Sequence, residues 1–127
     1  RQLHDAVHAM GFKVTYHTCG GTLGLEEMIV ANGCDVSETL APPSVGGSQE
    51  PWEFRQKIGN RLALIGGVDQ HNVVTVGTEW EIRAKVFELF EKVGCEGGYI
   101  CSMADHFFET PPEKIEIFAK AARECEY

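Results

Sequence analysis

The feature that most restricts the fold of this chain is a regular alternation between helix-like and strand-like segments, most of them followed by glycine. Residues 3–10 have the apolar spacing of a helix and precede Gly11, a residue type that often ends helices. Residues 62–67 form a short, continuous apolar run, which is typical of a strand buried on both faces of a parallel sheet. The whole pattern predicts the order αβαβαβαβα, and therefore right-handed crossovers and a parallel sheet.

The predicted elements cover most of the chain. We predict strands at residues 12–17, 34–38, 62–67 and 97–101, and helices at residues 3–10, 22–32, 50–58, 78–93 and 112–124. Thr78 and Glu81 form a capping-box pattern at the start of the fourth helix, in which each side chain bonds the other residue's backbone amide. Residues 41–49 contain Pro42-Pro43 and Gly46-Gly47, so we expect an irregular loop there.

Two architectures fit this order in a chain of 127 residues. One is a small doubly wound sheet, and the other is four consecutive units of an eight-unit β/α barrel. A complete barrel needs roughly 200 residues or more, so this chain is at most about half of one. A half-barrel exposes two sheet edges, so we expect it to pair with a second copy or with a missing half-barrel.

Composition excludes some classes of partner. The 19 acidic residues outnumber the 11 basic ones and give a formal net charge of -8, which argues against nucleic acid or an anionic membrane surface. No apolar run approaches the roughly 18 residues that cross a bilayer. The 5 cysteines are an odd number without the spacing of a disulfide framework, and we therefore expect reduced thiols and a cytoplasmic protein.

His17 and Cys19 are the residues with the clearest potential chemistry. They lie two positions apart at the end of a predicted strand, so their side chains point to the same face. Imidazole and thiolate are common zinc ligands, and a catalytic zinc usually has three protein ligands and one open position. Cys101, at the end of another predicted strand, would add a further ligand if the fold brings it close. A Cys–His nucleophile that uses Cys19 or Cys101 as the thiolate is an alternative.

Other polar residues collect at the predicted strand ends, where β/α proteins place their sites. They are Glu38, Asp69, His71, Asp105 and His106. Each of them can instead cap the helix that follows or order a loop.

Two glycine pairs and two histidines belong to weaker patterns. Gly20-Gly21 and Gly66-Gly67 would allow an anion to approach the backbone closely, but neither matches a nucleotide-binding fingerprint, which favours turns. His4 and His8 have helical spacing without an acidic or cysteine partner nearby, and we interpret them as a partly exposed helix face.

Several segments resemble the uroporphyrinogen decarboxylase superfamily. They are Tyr16-His17-Thr18-Cys19-Gly20, Leu64-Ile65-Gly66-Gly67-Val68-Asp69, Val76-Gly77-Thr78, Gly97-Gly98-Tyr99-Ile100 and Thr110-Pro111-Pro112-Glu113. Their order is similar to that in the C-terminal half of this superfamily, whose fold is a β/α barrel. The resemblance therefore implies that residues 1–127 are half of a TIM-type barrel and that its N-terminal half is absent from this chain.

The resemblance implies two alternative activities. The true decarboxylases act on a tetrapyrrole without a metal, and their key residues lie in the N-terminal half. The cobamide-dependent methyltransferases hold zinc with His-x-Cys and a distant cysteine, sometimes with a glutamate. By this resemblance His17, Cys19 and Cys101 are metal ligands, and Glu38 is the matching carboxylate. The second methyltransferase cysteine stands closer to the last helix than Cys101 does, so Asp105 and His106 remain alternative ligands.

The resemblance therefore favours a zinc-dependent methyl transfer between a methylated corrinoid and a small thiol. The corrinoid would be a carrier protein or a free cobamide. Asp69, Asp105 and His106 are expected to act as catalytic residues that orient substrate or ligands, and Gly20 and Gly67 to contact the cofactor. The alternatives are metal-free uroporphyrinogen decarboxylation and a non-catalytic corrinoid-binding module.

Overall fold

The computed structural model describes residues 1–126 and contains a 4-stranded parallel sheet. The strands are β1 (Thr15–His17), β2 (Val36–Thr39), β3 (Ala63–Val68) and β4 (Tyr99–Met103). The helices are α1 (Gln2–Ala9), α2 (Glu26–Ala31), α3 (Pro51–Ile58), α4 (Glu79–Leu89) and α5 (Pro112–Arg123). The predicted alternation and the parallel sheet are confirmed.

The strand order decides between the two predicted architectures. The strands lie in the order β1-β2-β3-β4, so neighbours in the chain are also neighbours in the sheet. A doubly wound sheet would reverse its strand order at a switch point, whereas successive units of a barrel do not. The fold is consistent with part of a TIM-type barrel.

Element boundaries differ from the predicted ones where local turns compete with regular structure. The second helix begins at Glu26 instead of residue 22, because Leu25 N donates to Thr22 O at 2.9 Å and closes a turn. The predicted loop after β3 contains a π-helical segment, Gln70–Thr75, and α4 gives way to a second one, Phe90–Gly94. Among residues 1–126, no helix has the length and apolar character needed to span a membrane.

The two faces of the sheet have different environments. One face packs on the helices and forms the core, in which Leu64 and Val68 are fully buried against Phe54, Ile58 and Leu89. On the other face, His17, Glu38, Ile65 and Ile100 form one register row. Ile100 in this row is 58% exposed. The helices therefore cover one face, and the row that contains His17 lies on the open face.

Candidate functional site

Cys19, His17 and Glu38 form a hydrogen-bonded chain at the carboxyl edge of the sheet. His17 Nε2 lies 2.7 Å from Cys19 Sγ, and His17 Nδ1 lies 2.7 Å from Glu38 Oε1. His17 and Glu38 are register partners on β1 and β2, which explains why they meet. The imidazole is thus held from both sides, with a thiol on one nitrogen and a carboxylate on the other.

The position of Glu38 differs from the predicted role as a metal ligand. Its carboxylate contacts Nδ1, whereas the thiol of Cys19 lies at Nε2, on the other side of the ring. A carboxylate in that position orients a ligating histidine and fixes which nitrogen carries the proton. Glu38 is therefore placed to orient His17, and of these three side chains it is His17 Nε2 and Cys19 Sγ that face each other.

Cys101 is not brought to this pair. It is the register partner of Gly66 on β3, while the row of His17 ends at the preceding residue, Ile100. Successive residues of a strand point to opposite faces, so Cys101 faces the helix layer and His17 faces away from it. Burial raises the pKa of the Cys101 thiol to about 11. The prediction that Cys101 supplies the third ligand does not agree with this arrangement, because Cys101 packs against the core on the face opposite to His17.

Asp105 and His106 lie in the loop after β4, at the expected edge of the sheet. Their side chains are 58% and 79% exposed, and Asp105 Oδ1 accepts a hydrogen bond from the backbone amide of His106 at 2.7 Å. His106 lines a groove together with His71, Phe108 and Glu109. Within residues 1–126, no three His, Cys, Asp or Glu side chains converge closely enough to hold a metal ion.

Asp69, predicted to be catalytic, is buried and engaged in local hydrogen bonds. It is 3% exposed and caps the π-helical segment by accepting hydrogen bonds from the backbone amides of His71 and Asn72 at 2.9 and 2.7 Å. Burial favours the neutral carboxyl, but hydrogen bonds from Ser44, Asn72 and these amides outweigh it and lower the pKa of Asp69. Its acceptor positions are therefore engaged in holding the loop after β3.

Gly67 also differs from its predicted role in contacting a cofactor. A Cβ atom added at this residue would lie 3.2 Å from Pro51 Cγ and 3.4 Å from Leu89 Cδ2, in the helix layer. Gly67 therefore allows α3 and α4 to pack closely on the sheet. Gly20 has a φ of 80° in the turn after Cys19 and lies near the carbonyl of Gly46, which supports the interpretation as a turn residue.

The two histidines of α1 contact neighbouring elements. His4 Nδ1 lies 2.9 Å from Asn32 O, and His8 Nε2 lies 2.7 Å from Asp35 Oδ2. Both side chains are only partly exposed, so they connect α1 to the segment between α2 and β2. The sequence pattern placed them correctly on a helix face but did not show these partners.

The sequence did not indicate that Ser48 and Gln49 belong to the surroundings of the site. Both lie in the loop after β2, and they contact the loop after β1 that carries Cys19. Topology alone could have predicted this contact, because the loops that follow adjacent parallel strands lie side by side at one edge of the sheet.

The parallel β/α sheet, with a histidine and a cysteine at its carboxyl edge, has the architecture of part of a TIM-type barrel. The family model described as "Uroporphyrinogen decarboxylase (URO-D)" matches residues 1–125. The chain belongs to this family.

Two relatives illustrate the family relationship and the fold. The uroporphyrinogen decarboxylase of Trichodesmium erythraeum (strain IMS101) is 31% identical over 104 residues, which are 82% of this chain and 27% of that protein. The structure of a methyltransferase from Methanosarcina mazei superposes with a TM-score of 0.68 at 19% identity, covering 97% of this chain and 34% of that one. The chain therefore spans about a third or less of the relatives it matches.

Proposed function

We propose that this chain is the part of a methyltransferase that binds zinc through His17 and Cys19 and transfers a methyl group to a thiol. The observation that carries the proposal is the convergence of His17 Nε2 and Cys19 Sγ at 2.7 Å, with Glu38 on the far nitrogen of the same ring. Nitrogen and sulfur donors of this kind suit zinc, and a carboxylate behind a ligating histidine is a common companion. The methyltransferase name of the similarly folded M. mazei protein supports this choice.

The residues of this chain would hold and orient the acceptor. Glu38 keeps the His17 ring fixed, and the exposure of His17 and Cys19 leaves room for a substrate thiol beside them. A zinc ion held there would supply the positive charge that keeps a bound thiol ionised near neutral pH. In the transfer the thiolate sulfur forms the new bond to the methyl carbon. A methylated corrinoid would supply the methyl group, and its cobalt would keep the electron pair of the broken carbon–cobalt bond.

The remaining protein ligand would come from outside the pair. Asp105 or His106 would reach it only after a movement of their exposed loop, since neither contacts His17 or Cys19 in the structure. A residue beyond the 127 of this chain is the other source, because the chain covers 34% of the M. mazei methyltransferase.

Metal analysis of the full-length protein tests the proposal. We expect about one zinc per protein in the parent, loss of that zinc in Cys19→Ser, and retention in Cys95→Ser, which changes an exposed thiol away from the site. The same proteins should be mixed with methylcobalamin and 2-mercaptoethanol, and the loss of the methyl group followed by visible absorption. A parent protein without stoichiometric zinc would rule the proposal out.

Metal-free uroporphyrinogen decarboxylation is the second candidate, and the 31% identity to the T. erythraeum decarboxylase favours it. This activity requires neither the thiol of Cys19 nor a metal. Turnover of uroporphyrinogen by the full-length protein in the presence of a chelator, with the same rate in Cys19→Ser, would establish it. Tight corrinoid binding with neither activity would instead indicate a non-catalytic module.

A further inference from the structure

The loop that carries Cys19 is attached to the loop after β2 by side-chain contacts. The backbone amide of Leu23 donates to Ser48 Oγ at 2.9 Å, and Gln49 Nε2 donates to Thr22 Oγ1 at 3.0 Å. Gly21 allows this close approach, because a Cβ atom there would lie 2.8 Å from Ser48 Oγ. Residues 18–25 contain no regular structure, so these contacts hold the segment that follows Cys19.

A polar network behind these contacts has two buried members, Gln49 and Glu26, linked by Lys57, whose side chain is 45% exposed. Lys57 Nζ, on α3, donates to Gln49 Oε1 at 3.2 Å and to Glu26 Oε1 at 2.6 Å. Gln49 is 5% exposed and Glu26 is 6% exposed, so both polar groups are removed from water. Burial alone would raise the pKa of Glu26, but hydrogen bonds from Lys57, its own backbone and Gln49 lower it, so the carboxylate is the form that the network holds.

We propose that Gln49 and Ser48 are positioning residues for Cys19, and that Lys57 and Glu26 hold Gln49 in place. This inference rests on the proposed metal site at His17 and Cys19. Gln49 uses its amide nitrogen to fix Thr22 and its amide oxygen to accept from Lys57. The loop after β1 is thereby fixed relative to α2 and α3, and Sγ of Cys19 stays within reach of His17.

The burial of Gln49 and Glu26 argues that they do more than stabilise the fold. Burying polar groups is costly unless every partner is present, and apolar residues of similar size would pack two helices at least as well. A polar network in which every group has a partner, in contrast, stabilises one arrangement of the side chains and disfavours the alternative arrangements. The network joins α2 and α3 at the point where the two loops meet, which is where a fixed geometry affects Cys19.

The test uses Thr22→Val and Thr22→Ser in the full-length protein, with Ser48→Ala as a second variant. Valine has nearly the shape of threonine but removes the acceptor of Gln49, whereas serine keeps it. We expect Thr22→Val to increase hydrogen exchange in residues 18–25 about tenfold or more and to weaken zinc binding roughly 10–100-fold, as outer contacts of a metal site do. Ser48→Ala should act in the same direction, and Thr22→Ser should stay close to the parent.

Arg83→Gln is the matched control, because it breaks the Arg83–Glu124 ion pair on the far helices without touching either loop. This variant should change neither the hydrogen exchange of residues 18–25 nor the zinc affinity. Parent-like exchange and zinc affinity in Thr22→Val would overturn the positioning role. If the parent binds no zinc, the proposed function fails, and the exchange measurement still decides whether Gln49 fixes the loop.

Discussion

Glu38 Oε1 lies 2.7 Å from Nδ1 of His17, on the side of the ring opposite to the thiol of Cys19. In neutral histidine only one ring nitrogen carries a proton. A carboxylate at Nδ1 favours the proton there and leaves the lone pair of Nε2 directed at the position beside Cys19. Glu38 therefore sets the orientation and the tautomer of His17, and it can do so without itself binding a metal ion.

Removing this carboxylate should weaken zinc binding without abolishing it. We expect Glu38→Ala to reduce zinc affinity roughly 10–100-fold, and Glu38→Gln to reduce it less because the amide oxygen can still accept from Nδ1. Competition with a chelator at constant pH measures the affinities. Glu27→Gln, which changes an exposed carboxylate paired with Arg61, is the control and should match the parent. Equal affinity in Glu38→Ala would contradict the orienting role.

Cys101 should behave as a buried thiol that is independent of the metal. With a pKa of about 11, only about one thiol in a thousand is ionised at pH 8, so alkylation by iodoacetamide should be slow and should accelerate with pH up to about 11. Mass spectrometry of the peptide that contains Cys101 follows the reaction. Cys101→Ser should keep the zinc content of the parent. Loss of zinc in a folded Cys101→Ser protein would show that Cys101 is a ligand after all.

The strand and helix pattern was predictable because it depends on local residue preferences and on glycine positions. The capping box at Thr78 and Glu81 is confirmed by the mutual hydrogen bonds of these two residues. The sequence predicted which face each strand residue points to less well than it predicted the positions of the strands and helices. A shift of one residue in the pairing register moves a side chain to the other face, and the observed register places Ile100, not Cys101, in the row of His17.

The predicted proximity of site residues is observed where it depends on local geometry and is not observed where it depends on register. His17 and Cys19 are two residues apart, so their convergence follows from strand geometry alone. Cys101 is distant in sequence, and its position depends on pairing across β2 and β3. Asp69 was assigned a catalytic role because it ends a strand, but a carboxylate there can equally cap the following turn, as it does here.

Gly67 should matter for packing and not for ligand binding. It has a φ of 92°, and a Cβ atom would press on Pro51 and Leu89, so we expect Gly67→Ala to lower the free energy of unfolding by about 1–3 kcal/mol. Urea unfolding measures this loss, and zinc affinity should stay that of the parent. Gly11→Ala, at a φ of 84° with nothing within 4 Å of the added atom, isolates the backbone strain. An equal loss in both variants would contradict the packing explanation.

Arg55 should be among the residues on which stability depends most. It is 8% exposed, and its guanidinium donates to the carbonyl oxygens of Val93 at 3.1 Å and Gly98 at 2.8 Å, so it joins α3 to the segment before β4. Arg55→Met keeps the apolar length but removes the guanidinium donor from the buried Val93 oxygen, while Gly98 O keeps only its bond from the Leu64 amide, and we expect a loss of about 3 kcal/mol or more in urea unfolding. Arg83→Met, at a surface pair, should cost about 1 kcal/mol or less. A small loss in Arg55→Met would show that water replaces the guanidinium.

Asp35 should make the free energy of unfolding decrease at acidic pH. Hydrogen bonds from the backbone amide of Val14, from Lys13 and from His8 lower the pKa of its carboxyl group in the folded state. Its contribution is therefore complete above the ordinary aspartate pKa of about 3.9 and is lost as the pH falls below that value towards the folded pKa. We expect the free energy of unfolding to fall below about pH 4 in the parent and to fall less steeply in Asp35→Asn.

Urea unfolding of both proteins at several pH values between about 6 and 3 measures this difference. The unfolded chain binds the proton of Asp35 at a higher pH than the folded chain does, so acid favours unfolding. Asp35→Asn removes the titration of Asp35. Glu26 and Asp69 still contribute to the pH dependence, because their pKa values are lowered through other contacts. In the mutant, the free energy of unfolding should therefore still fall with decreasing pH, but without the part of the decrease that comes from Asp35. Parallel curves for the two proteins would show that the contacts of Asp35 with Val14, Lys13 and His8 do not favour its ionised form.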